Sequence, residues 1–80
     1  MPHYAAIRKV ANEHLTQFNR LARVRRAQNA EVPFECALEA LARVAEQLGA
    51  DDLYQQITDR QHLLELGQPL PYITANGGEA

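Results

Sequence analysis

The sequence predicts an all-α fold: a three-helix bundle, built from a long first helix and a helical hairpin, with an extended Pro-containing C-terminal tail. Three observations predict it. Apolar residues recur at three- and four-residue steps through most of the chain. Gly49 and Gly67 stand where helices normally stop. Pro69 and Pro71 bar a helix from the start of the tail. Eighty residues make one domain, expected to bury about 60% of its unfolded surface. That domain is placed at residues 1–75, with 76–80 a flexible end.

The first helix is expected to run from Met1 to about Ala27. Tyr4, Ile7, Val10, Ala11, His14, Leu15, Phe18, Leu21 and Ala22 share one arc about 140° wide at helical spacing. Arg25 would fall inside that arc, so the last turn is expected to project beyond the core. A helix of about 24 residues is about 36 Å long, against about 23 Å for the second. The opposite arc carries Arg8, Lys9, Arg20, Arg23 and Arg26 with no acidic residue between them.

Gln28 to Val32 reads as a polar connector, and Pro33 suits a first helical position. The second helix, Phe34 to Gly49, is the firmest element. Phe34, Ala37, Leu38, Leu41, Val44, Ala45 and Leu48 form one continuous apolar arc. Glu35, Glu39 and Glu46 share a flank, and Glu39–Arg43 is an i,i+4 pair in the favourable orientation. Cys36 projects away from the apolar arc as a plain thiol. Being the single cysteine, it excludes an internal disulfide and a cysteine-built zinc site.

Asp51 is expected to cap the third helix. Leu53, Ile57 and Leu64 share its apolar face, bordered by Tyr54. Arg60 falls on that face too and predicts an ion pair, a snorkelling stem or an interface contact. Leu63 and Leu66 give the helix a second apolar edge. In the tail, Leu70, Tyr72 and Ile73 either fold back onto that edge or dock on a partner.

Charge is unevenly shared. Residues 1–30 carry six basic and one acidic residue, a net +5, and residues 31–80 carry two basic and nine acidic, a net −7. Seven Arg against one Lys is the bias of a GC-rich bacterial or phage genome. No apolar run approaches the roughly 20 residues of a bilayer span, and no signal-peptide core is apparent. A cytoplasmic location is the resulting expectation.

Catalysis finds no support. His3, His14 and His62 lack any spacing that would place two ligands on one metal. No nucleophile–base arrangement or glycine-rich phosphate loop is present, and neither a cofactor nor a metal is expected. LARVAEQLGADDLYQQI, with its glycine-containing turn, resembles a helix-turn-helix. Its reading helix would open with Asp51 and Asp52, which phosphates repel, and Gln55 occupies the usual apolar midpoint.

The expected function is therefore a small non-enzymatic protein-binding module, an adaptor, chaperone or phage-type inhibitor that occupies a surface of a larger protein or complex. Homodimerisation is expected from the overhanging first helix and the split apolar surface of the third. The partner-binding residues read from the sequence are Arg20, Arg23, Arg25 and Arg26 on one surface, and Glu35, Glu39, Asp51 and Asp52 on another. The alternative is a small nucleic-acid-binding regulator that uses the basic first helix on phosphate backbone. A third reading is an assembly subunit whose apolar patches are buried in an oligomer.

Overall fold

The computed structural model describes residues 2–24 and 31–74. Three α-helices, α1 (Pro2–Arg23), α2 (Glu31–Gln47) and α3 (Asp51–Leu63), are followed by a single 3₁₀ turn at Leu64–Leu66. Residues 67–74 carry no regular secondary structure. The protein is an all-α three-helix bundle.

α1 and α2 run antiparallel. Tyr4, near the start of α1, donates its hydroxyl to the Leu48 carbonyl just past the end of α2, at 3.0 Å. Phe18 packs edge-to-face on Phe34 at the other end, with ring centroids 5.5 Å apart and planes at 79°. The core they enclose is Ile7, Ala11, Leu15, Phe18 and Ala22 of α1, Leu38, Ala42 and Ala45 of α2, and Leu53, Ile57 and Leu64 from the third segment. Leu70 and Ile73 of the tail complete it, 6% and 2% exposed. Among the described residues, no buried side-chain polar atom lacks a hydrogen-bond partner.

Element ends differ from the sequence reading in two places. α2 begins at Glu31, two residues before Pro33. Pro33 is tolerated there because a first-turn N–H has no intrahelical acceptor to lose. α3 has Ala50, not Asp51, at its N-cap, with no side-chain cap bond. Ala50 is claimed by the end of α2: Gly49 N–H donates to Glu46 O and Ala50 N–H to Ala45 O. This Schellman arrangement puts Gly49 in the left-handed region, at φ 74°. It also sets buried Ala50 against buried Ala45. Asp51 and Asp52 then lie inside the first turn, where their negative charge is stabilising at the positive end of the helix dipole.

α1 is described as helical to Arg23. The expected projection of its last turn, with Arg25 and Arg26, lies outside the described residues, as do the connector 28–30 and the end 76–80.

Candidate functional site

The acidic residues named from the sequence do not assemble into one compact surface. Arg20 and Arg23 are exposed on the outer side of α1, while Arg25 and Arg26 lie outside the described residues. Glu35 and Glu39 line an open groove between α2 and α3, shared with His62 and Gln61. Its larger part, about 380 Å³, is bounded by Glu39, Ala42, Arg43, Glu46, Tyr54 and Thr58. Asp51 and Asp52 stand at the opposite end of α3 from His62, about 16 Å away along the helix. The acidic set is therefore split, because α2 and α3 run in opposite directions across it. The groove offers carboxylates, the imidazole of His62 and the hydroxyl-bearing side chains Tyr54 and Thr58. Among the described residues no group of three or more His, Cys, Asp or Glu is placed to hold a metal ion. Cys36 is a free, exposed thiol.

An apolar seam runs along the outer side of α1 and α2. The flank of α2 that carries Glu39, Arg43 and Glu46 faces α3. The opposite flank, on the α1 side, presents Ala37, Leu41, Val44 and Leu48 at steps of four, three and four. On α1, one flank faces the tail through Asn12 and Asn19. The flank beyond the core carries Val10, His14, Gln17 and Leu21 at the same steps. Leu21 and Leu41 rest against the core. Val10, Val44 and Leu48 remain 39%, 48% and 39% exposed. Two parallel rows flank one inter-helix seam, the α2 row apolar and the α1 row carrying polar His14 and Gln17 between Val10 and Leu21, a spacing that suits a third, amphipathic helix.

The tail occupies the other side, between α1 and α3, held by Arg60 and by Asn12, Asn19 and Gln56, three residues with no role in the sequence reading. Asn19, 2% exposed, accepts from Leu70 N–H at 2.7 Å and donates to Leu70 O at 2.9 Å. Asn12 grips Ile73 in the same way, at 2.8 Å and 2.9 Å. Gln56, on α3, grips Thr74 at 3.2 Å and 2.8 Å. Arg60 donates from Nε to Pro71 O and from Nη2 to Tyr72 O, both at 3.1 Å. A third donation, from Nη1 to Gln56 O, anchors the guanidinium on its own helix. Thr16 and Tyr72 hydroxyls meet at 3.1 Å.

This arrangement corrects two expectations. Among the described residues Arg60 forms no ion pair: its guanidinium donates to the carbonyls of Pro71, Tyr72 and Gln56. The tail does fold back, but Leu63 and Leu66 stay 39% and 58% exposed. The tail goes instead to the α1/α3 side, where side-chain amides can satisfy its backbone. The available signal was Asn12 and Asn19, seven residues apart on one edge of the α1 apolar arc.

The comparisons add no relative: no family model, curated protein or solved structure matches this chain. Among the described residues, no helix is long and apolar enough to cross a membrane.

Proposed function

We propose that this domain is a non-enzymatic protein-binding module that lays its α1/α2 seam against an amphipathic helix of a larger protein. The observation that supports the reading is the pair of rows flanking the seam, with Val10, Val44 and Leu48 about half exposed. Two rows at helical steps form the lower half of a three-helix contact, and a partner helix of about three turns would cover them. Such an occupant suits an adaptor, a chaperone or an inhibitor that acts by covering a surface. A second copy of the chain is the competing occupant, and that is the homodimer form of the same reading.

The test is capture from the source cell's lysate, after nuclease treatment, on wild type and on the Val44→Asp variant. Val44 is exposed, so the substitution leaves the fold intact. A protein retained by wild type and lost with Val44→Asp supports the seam. Equal retention by both removes it. Sedimentation of the two proteins alone identifies a second copy as occupant if only wild type dimerises.

Exposed Lys9, Arg20 and Arg23 on the outer side of α1 favour a second reading, contact with nucleic-acid backbone. It requires affinity that falls steeply with salt, in proportion to the phosphates neutralised. A flat salt response eliminates it.

A further inference from the structure

The contact between the tail and the rest of the domain has the form of a receptor holding an extended peptide. All five carbonyls from Leu70 to Thr74 accept hydrogen bonds from side chains of α1 and α3. The N–H groups of Leu70, Ile73 and Thr74 donate to the same three amide side chains. Nothing in that set depends on which side chains the tail carries. Selectivity comes chiefly from Leu70 and Ile73, which are buried; Pro71 and Tyr72 lie exposed between them, and Tyr72 adds one hydroxyl contact to Thr16.

The spacing on the two sides matches. Asn12 and Asn19 are separated by about 10.5 Å along α1. Pro69 and Pro71 hold the backbone extended, and Leu70, preceding a proline, is restricted to the same region. Polyproline geometry repeats every three residues at about 3.1 Å each. Leu70 and Ile73 therefore present the same side about 9 Å apart, one to each asparagine.

We infer that the α1/α3 groove is a binding site for an extended segment of a partner protein. That segment carries two aliphatic side chains three residues apart, the first followed by proline, and residues 68–74 are its built-in competitor. The tail is tethered at Gly67, whose φ of 65° closes the preceding turn. A short tether holds it at an effective concentration in the millimolar range. A segment in trans binds only to the fraction of molecules whose tail is out, so its apparent affinity is reduced by that fraction. This inference does not rest on the α1/α2 seam.

The probe is the acetylated peptide QPLPYITA, with a control in which its Leu and Ile are replaced by Asp. It is titrated into the 80-residue chain, wild type and Leu70→Asp/Ile73→Asp, while the side-chain amide signals of Asn12, Asn19 and Gln56 are followed by NMR. The expected result is movement of those signals in the double variant, with at least about tenfold tighter binding than to wild type, and no response to the control. If the double variant loses helicity, recovery of helicity on adding the peptide supports the site equally. The milder Ile73→Ala variant then carries the titration. Unmoved groove amides in both variants, with no recovery of helicity, overturn the inference. Wild-type dimers that the peptide dissociates overturn the partner assignment, because they identify the occupant as the tail of a second copy. The Val44→Asp variant should bind the peptide as wild type does, which keeps failure of this site separate from failure of the seam.

Discussion

Asn19 and Leu70 satisfy each other completely: one buried amide side chain accepts from and donates to the backbone of one residue, 51 positions away. Few single contacts in so small a domain are as exposed to test. Asn19→Ala leaves the Leu70 N–H and C=O without partners in a dry site, so the expected loss is about 3 kcal/mol. Urea denaturation of the two proteins measures it directly.

Asn19→Asp gives the same site a pH dependence that wild type lacks. The protonated acid can still donate to the Leu70 carbonyl, whereas the carboxylate is buried facing that oxygen. Burial and the facing carbonyl both raise the folded-state pKa above the unfolded value of about 3.9. Stability relative to wild type is therefore greatest below the unfolded pKa and is lost as pH rises through the folded one. Denaturation at several pH values, each referred to wild type, should give a difference that grows from acid to neutral. A constant difference would count against the assigned contact.

Hydrogen exchange should divide the tail residue by residue. The Leu70, Ile73 and Thr74 amides donate to side chains and are expected to be protected, while the exposed Tyr72 amide exchanges rapidly. Uniformly fast exchange from 68 to 74 would contradict the docked tail.

Gly49 isolates the cost of one backbone conformation. Its φ is 74°, and an added Cβ would meet nothing within 4 Å. Gly49→Ala should therefore cost about 1–2 kcal/mol, from the left-handed backbone alone. Gly49→Asn should cost less, and thermal melts rank the two.

Phe18 is fully buried and packs on Phe34, so Phe18→Ala should cost about 3–5 kcal/mol. The exposed pair Glu39–Arg43, at 3.1 Å, sets the opposite limit. Glu39→Gln should change stability by less than about 0.5 kcal/mol.

What the sequence made legible follows from what leaves a period in it. Leu38 and Ala45, and Leu53 and Ile57, bury at helical spacing and were readable on that ground, whereas buried Ala42 was not read and Val44 and Leu48, placed on the same arc, stay exposed. The stops at Gly49 and Gly67 were also readable, because positive φ selects glycine. Asn12, Asn19, Gln56 and Arg60 leave no such trace. Each pairs with a backbone group between 11 and 61 residues away, and a backbone acceptor is the same at every position. Counting charges invites an ionic partner for Arg60, whereas its partners are carbonyls. The acidic residues were visible individually, but their separation depends on the antiparallel course of α2 and α3. Asp51 was read as a cap because local rules favour it, yet the preceding Schellman turn had already taken the cap position for Ala50.

The 51- and 61-residue separations behind the Asn19 and Asn12 contacts also bear on the order of folding. The α2/α3 hairpin can form from neighbours in sequence, whereas the tail must close a loop spanning most of the domain before its bonds repay the lost entropy. During synthesis, at about 5–20 residues per second, α1 emerges well before Leu70 and Ile73 exist to fill its polar edge. For those seconds Asn12 and Asn19 face the cell with open donors and acceptors. The extended segment that covers them is made only after all three helices.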